Sequence, residues 1–308
     1  MRTATGFLLA LAIVCCITVN LCADPMDITF TTDGLIQTGD DYDDVWVYGD
    51  TTTVDMTGGE VCRLLAYDQS TINIGGGLVA YSLNYGQNTT INISDGVVHE
   101  TVIDGTGNIT GGVCWHIAVG GVLNISGGQI TQWLGGTRGT KNIYGYGFAY
   151  DPFHSPNLTG FWQDGTLFGM DIRPGAYDGV VLHNVTPVTA NAGGPYFLDQ
   201  TPIMLGGSVV GDYSQAAWDL DTDGLFDDAF GLQPLISSTM LTSWGFSPGM
   251  TWDIGLQVTG LYGGVDTSMT QLTFVPVPGA VILGSIGLTF SGWLLRKRRG
   301  LQEHNFWR

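Results

Sequence analysis

The sequence predicts an all-β protein: a right-handed parallel β-helix-like solenoid, then an immunoglobulin-like β-sandwich, with a C-terminal transmembrane helix. Three observations predict this. A phrase of the form Thr-x-Asn-x, followed by a glycine pair, returns at steps of 16 to 19 residues through the first half. Strand phrases at shorter, irregular spacing fill residues 186–275. An apolar run, Ala280 to Leu295, stands directly before four consecutive cations. The composition agrees: 47 glycines in 308 residues suit many short strands joined by tight turns, and 44% hydrophobic residues supply real cores.

The repeat occupies residues 24–141. Thr53-Val-Asp-Met-Thr-Gly-Gly59 is followed by Thr71-Ile-Asn-Ile-Gly-Gly-Gly77 and Thr90-Ile-Asn-Ile-Ser-Asp-Gly96. Gly107-Asn-Ile-Thr-Gly-Gly112 and Leu123-Asn-Ile-Ser-Gly-Gly128 continue it. One strand phrase and one glycine turn per short period signal a solenoid. Strand alternation places Ile72 and Ile74, Ile91 and Ile93, Leu123 and Ile125 inside. The polar neighbours Asp55, Asn73, Asn92, Asn108 and Asn124 then point outward and stack about 4.8 Å apart. Asn92, Asn108 and Asn124 lie in Asn-x-Ser/Thr sequons, and repetition of a structural phrase accounts for them as ladder residues. A second phrase in each period, such as Val45-Trp-Val-Tyr48 or Leu64-Leu-Ala-Tyr67, predicts another strand, with Tyr48, Tyr67 and Tyr85 in a column of their own. Residues 142–185 lose the repeat and read as a cap or connector, because a final rung needs its apolar face covered. Cys62 and Cys114 each follow a glycine pair, three rungs apart. They are therefore expected as two separate inward thiols, too distant for a disulfide.

Residues 186–275 form a second domain. Its landmarks are Ala190-Asn-Ala-Gly-Gly-Pro-Tyr196, the centre Trp218-Asp-Leu-Asp-Thr-Asp-Gly-Leu-Phe-Asp-Asp228, and the closing strands Trp252–Val258 and Gln271–Phe274. Alternating strands over such a length suit a sandwich. Together the phrases resemble a polycystic-kidney-disease (PKD) domain. The resemblance implies an extracellular spacer or binding module without catalysis, with Trp218 as its buried indole. Asp219, Asp221, Asp223 and Gly224 have the spacing of the first half of an EF-hand loop, and hard oxygen ligands on alternate residues can wrap Ca²⁺. Phe230 stands where that loop's closing acid belongs, so Asp227 or Asp228 would have to substitute. Calcium on Asp219, Asp221, Asp223 and Asp227 is the one cofactor the sequence suggests. The other acidic run, Asp40 to Asp44, reads as a solvated loop.

Both ends carry addresses. Arg2, the apolar run Gly6 to Val19 and Leu21-Cys22-Ala23 before Asp24 make residues 1–23 a signal peptide. At the other end Pro276-Val-Pro278-Gly279 precedes about 17 apolar residues, just enough to span a bilayer. Arg296, Lys297, Arg298 and Arg299 then fix that end in the cytoplasm. This segment, 276–299, resembles the PEP-CTERM sorting signals of Gram-negative bacteria, with Val277 in the place of the family's Glu. The resemblance implies processing by an exosortase-like enzyme and a place at the cell surface or in an exopolysaccharide matrix. Residues 300–308 would be a cytoplasmic tail.

Charge narrows the function classes. Between Asp24 and Val275 lie all of the 28 acids but Glu303, against only Arg63, Arg138, Lys141 and Arg173. Such a field repels phosphate backbones, so no nucleic-acid partner is expected. No nucleophile elbow or phosphate loop occurs, and His99, His116, His154 and His183 lack metal-ligand spacing. The expectation is a non-catalytic, exported, membrane-anchored structural or adhesive protein. Its partners would be the membrane, the processing enzyme, and exopolysaccharide or other surface proteins. The alternative is a carbohydrate-active enzyme or carbohydrate-binding protein on the solenoid, which would show exposed aromatics and a carboxylate pair in one groove.

Overall fold

Alternation in the Thr-x-Asn-x phrase sends its second and fourth side chains one way and its first and third the other. In the computed structural model, which describes residues 26–276 apart from 85, 152–154, 174, 177, 200 and 201, this pattern builds a parallel β-solenoid with two faces per rung. The first face stacks β2 (Gly34–Ile36), the first halves of β4 (Thr53–Ala66), β5 (Thr71–Asn84) and β6 (Thr90–Ile103), then β7 (Thr106–Ile109), β9 (Val122–Ile125), β11 (Thr140–Asp151) and β14 (Val180–Asn184). The second face stacks β1 (Met26–Phe30), β3 (Asp41–Val47), the second halves of β4 to β6, β8 (Val113–Val119), β10 (Gln129–Gly135) and β13 (Leu167–Ile172). Pairing within each stack is parallel.

The core is a set of inward columns. On the first face Met56, Ile74, Ile93, Ile109, Ile125 and Ile143 lie in register and are fully buried. Beside them run Val54, Ile72, Ile91, Gly107 and Leu123. At Gly107 the missing side chain is replaced from the other face: a Cβ there would lie 2.5 Å from Ile103 Cδ1. Between the faces the chain turns at Gly59, Gly77, Gly96, Gly112 and Gly128, all with φ between +72° and +87°. A Cβ at Gly96 would also come within 2.9 Å of the Gly77 carbonyl oxygen one rung below. Left-handed backbone and close stacking together demand glycine there.

The second face departs from the predicted cysteine placement. Val61, Val79, Val98 and Cys114 share one inward column, so Cys114 is buried and free. Burial in this apolar column pushes its thiol up to about 12. Cys62 sits one residue out of that register and is half-buried. The expectation of two inward thiols therefore holds for Cys114 alone, because a one-residue offset in a strand changes the face.

Between β11 and β13 the chain inserts β12 (Ser155–Phe161), antiparallel to both, so the stacks continue through residues 142–185, which were expected as a cap or connector. Just beyond β12, buried Trp162 stacks on Phe168 with 3.9 Å between centroids and donates from Nε1 to the Gly128 carbonyl. An indole thus covers apolar surface and satisfies a turn carbonyl at once.

The chain divides between Val188 and Thr189, with Gly260–Val265 counted in the first unit. The second unit holds a five-stranded sheet in the order β16 (Tyr196–Leu198), β23 (Val265–Phe274), β22 (Thr251–Gly260), β19 (Tyr213–Asp219), β20 (Ala229–Phe230). Two strand pairs, β15 (Thr189–Asn191) with β18 (Ser208–Val210) and β17 (Ile203–Met204) with β21 (Leu235–Ile236), and a short helix α1 (Ser238–Ser243) complete it. Trp218 is fully buried, with its indole N–H donated to the Gly231 carbonyl at 2.9 Å. Among the described residues no helix is long and apolar enough to cross a membrane. The predicted signal peptide, tail and span, including Pro278, Gly279 and Arg296 to Arg299, lie outside the described residues; Pro276 is exposed.

Candidate functional site

The first face presents two outward rows in register. Thr53, Thr71, Thr90, Thr106, Val122 and Thr140 form one; Asp55, Asn73, Asn92, Asn108, Asn124 and Asn142 form the other. Each asparagine donates from Nδ2 to Oδ1 of the residue one rung earlier: Asn73 to Asp55 and Asn92 to Asn73 at 2.7 Å, Asn108 to Asn92 and Asn124 to Asn108 at 2.8 Å, Asn142 to Asn124 at 2.9 Å. His183 Nε2 lies 3.0 Å from Asn142 Oδ1. Because that oxygen accepts, His183 carries its proton on Nε2. The chain therefore runs one way, from a carboxylate that only accepts to an imidazole that donates. Aligned bonds of this kind polarise and strengthen one another.

The column runs one rung beyond Asn124, where the repeat was expected to end, to Asn142. Thr140-Lys-Asn-Ile143 is a further copy of the phrase and was legible as such; its lysine in an inward position disguised it. Lys141 is fully buried, and its Nζ donates to the carbonyls of Gly136 at 2.8 Å and of Arg138 and Asp178 at 3.4 Å. Burial holds its pKa below the ordinary lysine value, against an opposing pull from Asp178. Nothing in the local sequence marked His183 as the ladder's end.

The second face carries rings on its outer side. Tyr48 stacks on Tyr67 at 4.7 Å, His99 on Trp115 at 4.3 Å, and His116 lies 4.9 Å from Trp133. Arg173 sits 3.8 Å over the Trp133 ring. The rings thus face one another along the solenoid rather than lying flat toward solvent, and such stacks contribute packing. Burial, then the neighbouring His116, lowers the pKa of His99. Tyr85, expected in the tyrosine column, and His154 lie outside the described residues.

In the second unit the acidic loop closes on itself. Asp219 is buried and accepts from Thr222 N–H at 2.7 Å and Gly224 N–H at 3.1 Å. Asp221 accepts from Asp223 N–H and Asp223 from Leu225 N–H. Asp228 Oδ2 accepts from the N–H groups of Leu220 and Asp221. These bonds hold Thr222 at φ +66°, which a β-branched residue adopts only under constraint. Asp219, Asp221 and Asp223 each offer an oxygen within 4.8 Å of the others; exposed Asp227 is not in that group. Desolvation, then repulsion from Asp228, Asp223 and Asp219, raises the Asp221 carboxyl, while the Asp223 N–H opposes the rise. Three donors fit half of the coordination Ca²⁺ takes, which is about six to eight oxygens.

Comparison with family models, with curated proteins and with solved structures returns no match.

Proposed function

We propose that the chain is an exported, non-catalytic surface protein of structural or adhesive type. The solenoid is its rigid element and the PKD-like domain a spacer beside a C-terminal membrane anchor processed by an exosortase-like enzyme. The observation that carries this reading is the amide ladder. Its asparagines bond to one another from rung to rung, and amides neither take nor give protons near neutral pH. Such a column stiffens a scaffold and does no acid–base chemistry. The acidic surface favours an extracytoplasmic location and disfavours nucleic acid. Exopolysaccharide or other surface proteins are the partners this reading supplies.

Two measurements test it. External protease should digest the chain in intact cells, and the purified protein should release no reducing sugar from a panel of polysaccharides. Protection from protease, or turnover of any polymer, would overturn it. Calcium on Asp219, Asp221 and Asp223 belongs to the same proposal. Millimolar CaCl₂ should raise the melting temperature of the second unit, since a ligand of the folded state must stabilise it, and Asp221→Asn should abolish the rise. A melting temperature indifferent to calcium would remove the ion from the account.

A further inference from the structure

The threonine and asparagine rows of the first face have a use beyond stiffness. Along the solenoid their side chains repeat every rung, about 4.8 Å, and across it every second residue, about 6.7 Å. Six rungs in register extend this two-dimensional grid over about 24 Å. Asp55 is the one charged side chain in the two rows, so no long, mobile, strongly hydrated group interrupts them. The ladder also fixes the asparagine orientations. Each of Asn73, Asn92, Asn108 and Asn124 uses one Nδ2 proton and one Oδ1 lone pair in it. One proton and one lone pair per amide remain for a ligand. The threonines add hydroxyls, which both donate and accept, beside methyl groups.

A surface of this kind fits a partner that itself alternates donors and acceptors on a flat, repeating lattice. Crystalline water does so: the oxygens of hexagonal ice recur at comparable distances along two directions of its faces. We propose that the Thr–Asn face binds ice, through an ordered layer of water held on these rows. The inference deepens the adhesive reading above and rests on it for its biological setting. A crystalline polysaccharide also offers a hydroxyl lattice. The rows contain no aromatic ring on which a sugar could stack, and this favours water.

The test uses the purified full-length chain in a mild non-ionic detergent, with detergent alone as the blank. A single ice crystal grown in this solution should become faceted and slow in its growth, and the chain should be enriched in slowly grown ice. Thr71→Tyr/Thr90→Tyr, which breaks the flat rows from outside the core, should lose both effects while keeping its β circular-dichroism spectrum. If the double variant misfolds, Thr90→Lys alone should show the same loss. Thr267→Tyr, on the second unit, should retain both effects. Round, freely growing ice with the folded wild type overturns the proposal, and so does full activity in the folded row variants. Capture on insoluble cellulose or chitin that the row variants abolish, without any effect on ice, reassigns the face to polysaccharide and overturns it too. Loss of ice binding leaves the surface-protein reading standing, whereas protease protection in intact cells sinks that reading and leaves ice binding untouched.

Discussion

The two units handle buried and half-buried polar groups in opposite ways. In the solenoid, Asn92 bonds to Asn73 and Asn108, residues 19 and 16 positions away, each a copy of itself. In the second unit, Asp219 and Asp228 bond to backbone N–H groups within eight residues. One arrangement spreads a single solution over many rungs; the other solves one loop once. Repetition gives the solenoid tolerance of composition within a column, as at Gly107, but little tolerance of a changed turn. The second unit hangs instead on single groups such as Trp218.

That contrast is broken most strongly at Trp218. Trp218→Ala should destabilise the second unit by about 3–5 kcal/mol, through lost burial and an orphaned Gly231 carbonyl. In denaturant unfolding of the full chain it should move one transition and leave the solenoid transition in place. Ile91→Ala should do the reverse, at about 2–5 kcal/mol. A shift of both transitions by either variant would mean that the units do not unfold separately.

Gly96→Ala comes next, at about 1–3 kcal/mol for a strained left-handed residue. The variant should lower the solenoid's midpoint, and an unchanged midpoint would show that the turns relax freely. Asn92→Ala removes two ladder bonds of about 0.5–1.5 kcal/mol each. Asn92→Asp keeps the acceptor but loses the donor, so its loss should grow as pH rises through the new carboxyl's pKa. Equal stability of wild type and Asn92→Ala would reduce the ladder to ornament.

The smallest expected effect is at Lys141. Its folded pKa lies below the unfolded value of about 10.4, so between the two the unfolded chain holds a proton the folded chain has released. Stability should therefore rise with pH across that window, and the burial penalty is present in full below it. Lys141→Met should flatten the rise when the two pH profiles are compared. Parallel profiles would show that the buried ammonium keeps its ordinary affinity for protons.

Legibility in the sequence followed periodicity. The inward isoleucines and outward asparagines from Asp55 to Asn124 could be read because each is fixed by alternation, a local rule. Trp218 was legible through the resemblance of its Asp-rich phrase to the PKD domain, which implies a buried indole at that place. What escaped depended on register or on contact between distant segments. Cys62 and Cys114 differ by one residue in their distance from the glycine pair, which takes Cys62 out of the inward column that holds Cys114. His183 joins the ladder through a strand 41 residues beyond Asn142. The Asp219 loop was legible as acidic turn chemistry, but the use of Asp228 on backbone N–H groups depends on loop geometry that spacing does not encode.

The central claim is that identical outward residues stand rung on rung in register, and engineered crosslinks test it most directly. Thr71 pairs with Thr90, and Thr90 with Thr106. Thr71→Cys/Thr90→Cys places two cysteines one rung apart, at about 4.8 Å between Cα atoms, inside the range a disulfide accepts. Thr71→Cys/Thr106→Cys places them two rungs apart, beyond the limit of about 7 Å. After mild oxidation and peptide mapping, the first pair should be crosslinked nearly to completion and the second left as thiols. Crosslinking of the second pair in preference to the first would contradict the register, and with it the ladder on which the functional reading stands.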